Sequence, residues 1–318
     1  MNRLLAGVAL VAMGAALFGT LSYLTRGAAA AGVDAFPYVA WRGLVATLAL
    51  LGVSMAVAWR RGTGLGIPDL RGLTRDRRVA LIAAALFGAI LNIAVFAAFL
   101  RTTIAVALIC FYTFPAIVTL AAVPLYGERL GGLRLGALLL SLGGLALVVL
   151  APLIGATEVL LDPIGIGLAL FGAVCQAAFV LIAGRGFKPL PVLHVSSFVV
   201  FAAFALSLPL AVLAGDLDGL LRPLQQAEPW FWILAGGITG AAIPTTAFIA
   251  GIGIIGPSRA AILMTIEPLV GVSLAALLLG EHPSWLQIVG GAGVLVAAAI
   301  LQVAPRVPVP PESEIPIV

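Results

Sequence analysis

Along this chain, charged residues fall in a few short clusters, and between them run stretches of almost unbroken Leu, Ala, Val, Ile, Gly and Phe. At a rise of about 1.5 Å per residue, about 20 residues cross a hydrocarbon core of about 30 Å. Runs of that length lie near 4–25, 36–59, 79–100, 103–126, 133–151, 163–184, 193–214, 229–251, 260–280 and 285–303. None alternates apolar and polar residues in segments of about ten, as a membrane β-barrel does. Backbone groups facing lipid must be bonded within the segment, so each run is expected to be a helix. The expected fold class is an all-α integral membrane protein of ten transmembrane helices.

The connections carry the orientation. Arg60, Arg61, Arg71, Arg75, Arg77 and Arg78 sit between the second and third runs. Placing the N-terminus in the cytoplasm gathers these with Arg3, Arg129, Arg134, Arg185, Lys188, Arg259 and Arg306 on the cytoplasmic side. Only Arg26, Arg101 and Arg222 remain outside. Basic residues accumulate inside, so both termini are expected there. The run from Leu4 to Thr25 exceeds the 7–15 residues of a signal-peptide core and reads as an uncleaved first span. The proline-rich segment 305–318 reads as a disordered cytoplasmic tail.

Composition narrows the class. Hydrophobic residues make up 62% and charged residues 9% of the 318, against roughly 45–50% and about 25% in soluble domains, and mean hydropathy is +1.20. No water-soluble fold hides that much apolar surface. The net charge of +4 lies in the connections, so it reads as a topology signal and not as a nucleic-acid footprint. Cys110 and Cys175 sit in apolar runs without a CxxC spacing or a histidine partner, so no disulfide, metal or cofactor is expected. Arginine far outnumbers lysine, whose one instance is Lys188; this bias points to a bacterial inner membrane.

The chain also resembles itself. Pro115, Gly127, Glu128 and Leu133 align at one offset with Pro268, Gly280, Glu281 and Leu286, as do Ala107 and Ile109 with Ala260 and Ile262. Gly7, Gly14 and Ala15 similarly match Gly165, Gly172 and Ala173. Two five-span repeats follow, 1–155 and 156–304. Because five is odd, the second must be inverted relative to the first, an organisation found in secondary transporters around a central site.

Ten spans, Trp41-Arg42-Gly43 early in the second, and a proline thirteen residues before a glutamate at the ends of the fourth and ninth together resemble the EamA-type members of the drug/metabolite transporter superfamily. The resemblance covers essentially the whole chain. It implies a ten-helix basket around a central cavity, alternating access, and export of metabolites such as amino acids, with the bacterial aromatic amino acid exporters as neighbours.

Ionisable groups inside a membrane cost about 2.5–3.5 kcal/mol each on insertion scales, so they are expected to face the bundle interior. Glu267 precedes Pro268, where a kinked helix places a carboxylate at mid-depth to bind an amine or a proton, to satisfy freed backbone groups, or to pair with an arginine. Arg42 either reaches the headgroups or binds a substrate carboxylate or Glu267. Asn92, Tyr112, Gln176 and Thr245 complete the candidate pathway; Pro115, Pro244 and Pro268 are the candidate kinks. Thr113 and Thr246 are further uncharged candidates. Phe111 and Phe114 flank Tyr112 as the aromatic part of a pocket, and Phe18, Tyr23, Tyr38 and Trp41 serve as vestibule or interface residues. Glu128 and Glu281 suit helix N-termini; His194 and His282 suit boundary positions.

Gly132 with Gly136, Gly236 with Gly240, and Gly293 with Ala297 have the spacing for close helix contact, within a monomer or a homodimer. No HExxH, GxSxG or Walker A motif occurs, which disfavours an embedded hydrolase and ATP hydrolysis. The expected partners are therefore the bilayer and a small-molecule substrate, with proton coupling through Glu267. A membrane-embedded enzyme or a flippase for lipid-linked substrates is the alternative.

Overall fold

The structure is a computed structural model and describes residues 3–62, 66, 70, 72–127, 131–154, 160–187, 190–279 and 284–303. Ten apolar helical segments cover the ten expected runs: α1 Arg3–Ala30, α2 Ala35–Arg61, α3 Arg75–Phe99, α4 Ile104–Tyr126, α5 Gly132–Leu150, α6 Pro163–Gly184, α7 Val192–Leu213, α8 Glu228–Ile255, α9 Pro257–Leu278 and α10 Trp285–Val303. Glu128, Glu281, His282 and the tail lie outside the described residues.

Three boundaries differ from expectation. Arg26 does not end α1 but lies in a helix that runs to Ala30, because an arginine near a span end can keep its charge in a polar environment. The eighth run extends to Ile255, and the ninth begins at Pro257. Between them stands only Gly256, whose φ of 85° reverses the chain without a loop. Arg259 is therefore buried within a helix and not in a connection, and Arg134 is likewise buried in the first turn of α5.

Several helices are interrupted, and the freed carbonyls find partners. α1 breaks at Thr20, α4 at Tyr112–Thr113 and α9 at Met264–Thr265. The hydroxyls of Thr20, Thr113 and Thr265 donate to the carbonyls of Leu17, Cys110 and Ile262, each at 2.7 Å. Pro115 and Pro268 follow the latter two breaks within a turn, where a missing N–H costs little. In α8, a π-turn over Ile238–Ala242 precedes Pro244. At the exposed start of α6, the Asp162 carboxylate accepts from the Ile164 N–H at 2.9 Å and pairs with Arg101 at 3.2 Å. The Ile164 N–H, more than Arg101, holds that carboxyl below its usual range. Its capping contribution is therefore complete at neutral pH and fades as acid protonates it.

The halves pack as mates. α1 lies along α8 as α3 lies along α6, while α2 pairs with α7 and α5 with α10. Glycines set the close approaches. A Cβ on Gly14 would sit 3.1 Å from the Pro244 carbonyl oxygen of α8, and one on Gly172 would sit 2.9 Å from Val95 and 3.7 Å from the Leu91 carbonyl oxygen of α3. In the Pro115/Pro268 register, Leu91 and Val95 are the counterparts of Pro244 and Phe248. Gly7 meets Ile254 and Ile255, and Gly165 meets their counterparts Arg101 and Thr102. The glycine matches between the first and sixth runs are thus equivalent helix crossings.

In the α5/α10 pair the close crossing is Gly144 against Gly290, where a Cβ on Gly144 would lie 2.5 Å from the Gly290 carbonyl oxygen. Gly132 and Gly136, with the expected spacing, are exposed and have nothing within 4 Å.

Gly14→Val is expected to lower the melting temperature in detergent, since overpacking typically costs about 1–3 kcal/mol. Gly136→Ala should leave it unchanged or raise it, by at most about 1 kcal/mol. Equal effects at the two positions would refute the packing described.

Candidate functional site

All ten helices line one central cavity of about 770 Å³. It opens on the face opposite the N-terminus, where Arg26 and Ala29 of α1, Phe99 of α3, Ile104 of α4 and Gln287 of α10 stand at its mouth. Phe179 and Phe248, with ring centroids 6.3 Å apart, form its floor together with Met264. Beneath them, Val11, Ala15, Ile252 and Ala260 to Leu263 are buried in one apolar cluster that closes the opposite end.

Every one of Arg42, Asn92, Tyr112, Gln176, Thr245 and Glu267 lines this cavity. Arg42 is only 6% exposed. One Nη donates to Asn92 Oδ1 at 2.9 Å, the other to the Gly240 carbonyl at 3.5 Å, and the guanidinium lies 5.9 Å from the Tyr38 ring centroid. Asn92 is fixed in turn by donating to the Gly88 carbonyl at 2.8 Å. The Gly240 carbonyl is available because Pro244, four residues on, has no N–H to offer it. Pro244 thus acts through a π-turn that presents a carbonyl to Arg42. All these partners are neutral, and the Arg42 Nε has none. Among the described residues no carboxylate neutralises this cation, so the proposed ion pair with Glu267 is not formed.

Glu267 begins the second piece of α9, half-buried at the cavity wall. The Tyr112 hydroxyl, from the matching break in α4, lies near its carboxylate. The two helix breaks therefore bring a phenol and a carboxylate together across the repeat boundary. Gly19, beside the break in α1, makes this fit possible, since a Cβ there would meet the Glu267 carbonyl oxygen at 2.6 Å. Gln176 is 7% exposed and has no hydrogen-bond partner among the described residues; its amide faces the cavity. Thr245 lies across from it at the position equivalent to Asn92.

Other expected positions are distributed differently. Thr113 and Thr246 donate to carbonyls of their own helices. Phe18, Tyr23 and Phe111 line the cavity, and Phe114 is buried behind Phe111 and Tyr112 at centroid distances of 5.4 and 5.9 Å. Tyr38 is fully buried one helical turn before Arg42, and Trp41 turns away to donate to the Leu220 carbonyl. His194 bridges the Ser54 hydroxyl and the Gly66 carbonyl at 2.6 and 3.1 Å, at the end of the molecule away from the cavity. Sequence reasoning overlooked the mouth: Ser22, Thr25, Arg26 and Gln287 all line it. The helical stripe Phe18, Ser22, Thr25, Ala29 was the available signal.

This geometry defines a class: an integral membrane protein of two inverted five-helix repeats around a cavity open at one end. The EamA-like transporter family model matches it twice, over residues 5–150 and 163–303. The chain belongs to that family, and is a membrane transporter of small molecules. A solved crystal structure shares the fold, with a TM-score of 0.70 at 22% identity over 95% of this chain and 97% of the other. Among curated protein sequences, none matches.

Cysteines substituted for Gln176 and Arg26, in a Cys110→Ala/Cys175→Ala background, should react with a membrane-impermeant thiol reagent from one side only. A cysteine at Ile262 should resist it from that side. Labelling of Ile262→Cys as fast as Arg26→Cys would show that the cavity does not end where described.

Proposed function

We propose that this chain is a secondary transporter that exports small amphipathic metabolites, amino acids including aromatic ones foremost, across a bacterial inner membrane by alternating access. The observation that carries it is Arg42, a buried cation without a counter-charge in the wall of an otherwise largely apolar cavity. A buried uncompensated charge is costly, and a ligand carboxylate would relieve that cost through charge-assisted bonds. Glu267, presented with Tyr112, would receive an amine. Phe18, Phe111, Phe179 and Phe248 supply apolar and aromatic surface for a side chain.

With both termini cytoplasmic, as the arginine distribution predicts, the open mouth faces outward. Asymmetry between equivalent elements supports alternation. At the closed end, a Cβ on Gly184 of α6 would lie 3.2 Å from Pro257 of α9, and the Tyr126 hydroxyl donates to the Leu181 carbonyl. In the register of the repeats, Gly184, Pro257 and Leu181 correspond to Arg26, Ile104 and Tyr23. Those three residues line the open cavity. Closure of the mouth and opening of the other end would exchange the roles of the two sets. Glu267 is the group that would carry a coupled proton; transport by the wild type that ignores a pH gradient would remove that role.

Proteoliposomes loaded with radiolabelled amino acids should show counterflow. Arg42→Gln is expected to weaken carboxylate-bearing solutes about 10- to 100-fold, the worth of one to two charged hydrogen bonds. A protein that moves no amino acid, nucleoside or quaternary amine in either direction would sink the proposal. Alternation has its own test. The pair Gly184→Cys/Pro257→Cys should cross-link in the state described, and Arg26→Cys/Ile104→Cys in the opposite one. Simultaneous cross-links at both ends of single molecules would contradict it.

A further inference from the structure

A second hollow lies on the outside of the bundle, with walls of a different kind. α2 and α7 cross where a Cβ on Gly43 would come within 3.0 Å of the Phe204 nitrogen and 3.1 Å of the Val200 carbonyl oxygen. Beyond this crossing, on the side where the central cavity opens, a wedge of about 350 Å³ remains between the two helices. The short helix Leu217–Gln225, joining α7 to α8, covers it. Ala40, Leu44, Phe204, Leu208, Leu217 and Leu221 line the wedge, and no polar surface reaches it. Leu208, Leu217 and Leu221 are exposed at its edge, so it is continuous with the hydrocarbon around the protein.

The covering helix is amphipathic. Leu217, Leu220, Leu221 and Leu224 follow one side, and Asp218, Arg222 and Gln225 the other. Such a helix lies in the plane of the headgroups with its apolar side down. Asp216 caps it, accepting from the Gly219 N–H at 3.2 Å. Burial pushes the Asp216 carboxyl above its ordinary value, and the nearby charges of Asp34 and Asp218 push it further. Three carboxylates therefore share this rim. Arg222 lies over Gly32, where a Cβ would be 3.1 Å from its Nε, and makes no ion pair with them among the described residues.

We propose that the wedge seats one acyl chain of a phospholipid whose headgroup carries both a phosphate and a protonated amine, the phosphatidylethanolamine class. Water in the wedge would find none of the two to four partners it needs, and a polar solute would lose its hydration without replacement. A hydrocarbon chain loses nothing there. Above it, Arg222 receives the phosphate, and the Asp34, Asp216 and Asp218 rim receives the amine through charge-assisted hydrogen bonds. A lipid with phosphate alone brings more negative charge to that rim, and a quaternary amine has no N–H to donate. The same stretch of α2 serves both hollows: Val39, Arg42 and Gly43 face the central cavity, while Ala40, Trp41 and Leu44 face the wedge. The bound chain thus braces the helix that carries Arg42.

The full-length protein, purified in mild detergent and stripped of lipid, tests this with phosphatidylethanolamine, phosphatidylglycerol and phosphatidylcholine added separately. Native mass spectrometry should find phosphatidylethanolamine retained preferentially, and that lipid should raise the melting temperature most. Leu221→Trp, which fills the wedge from its exposed edge, should abolish the preference while melting cooperatively without lipid. Arg222→Gln should weaken retention roughly tenfold. Equal retention of the three lipids, or no retention of any, would overturn the proposal. So would a preference unchanged in Leu221→Trp, or a dimer that this substitution dissociates, since a second copy would then be the occupant. None of these measurements depends on finding a transported solute.

Discussion

A peptide group facing hydrocarbon has no water to bond, and this constraint dictates where the chain is regular and where it is not. Lipid-facing lengths are helical, and the irregular backbone lies where protein or cavity surrounds it. The breaks at Thr20, Tyr112–Thr113 and Met264–Thr265 border the cavity, and threonine hydroxyls satisfy the carbonyls they free. The π-turn in α8 makes functional use of a freed group. A proline that cannot donate leaves the Gly240 carbonyl available, and Arg42 takes it. A polar site has been built in the membrane where backbone hydrogen bonds are withheld.

The second constraint is repetition with inversion. Gly14 and Gly172 let α1 approach α8 and α6 approach α3 closely enough for backbone contact, so each half is clamped to the other through two equivalent crossings. The α2/α7 and α5/α10 pairs join a helix to its own counterpart. A sequence repeated this way could form a symmetric molecule, and the structure departs from that symmetry at its ends: it is packed at one and parted at the other. Equivalent contacts have nearly equal intrinsic energy. If the molecule alternates as proposed, the free-energy difference between this arrangement and the exchanged one would arise from the residues that differ between the halves, and a modest differential affinity of a ligand would be enough to shift such a balance.

Much of this was legible in the sequence, because the physics concerned is local or periodic. Length and apolarity give the spans, an odd number of spans per repeat gives the inversion, and Pro115 and Pro268 mark the breaks. The six polar residues that line the cavity were identifiable because a polar side chain within an apolar run has few places to go but inward. What stayed hidden depends on the third dimension. Gly144 and Gly132 look alike in sequence, and only the crossing with Gly290 separates a contact from open space. Arg259 reads as a loop charge until Gly256 is seen to leave no loop. Arg26 reads as a topology marker because the length of α1 beyond Thr25 depends on what surrounds its last turn. The hydrogen-bond partners of Arg42, Asn92 and Gly240, come from two other helices, α3 and α8, and no spacing along α2 announces them.

The residues that break the repeat are also those with chemistry. Glu267 corresponds in the register to Phe114, Gln176 to Phe18 and Thr245 to Asn92. The scaffold glycines and the paired prolines, by contrast, recur in both halves. Movement between two equivalent packings needs symmetry in the helix crossings; recognition of an asymmetric solute needs the opposite in the lining. Arg42 stands on the α2/α7 pair, while Glu267 stands on α9 at a break, next to the closed end. Rearrangement of α9 relative to α2 would therefore change the distance between the two charges. A solute that bridges them would bind the two packings unequally, and by linkage would bias the molecule toward the packing in which both charges reach it.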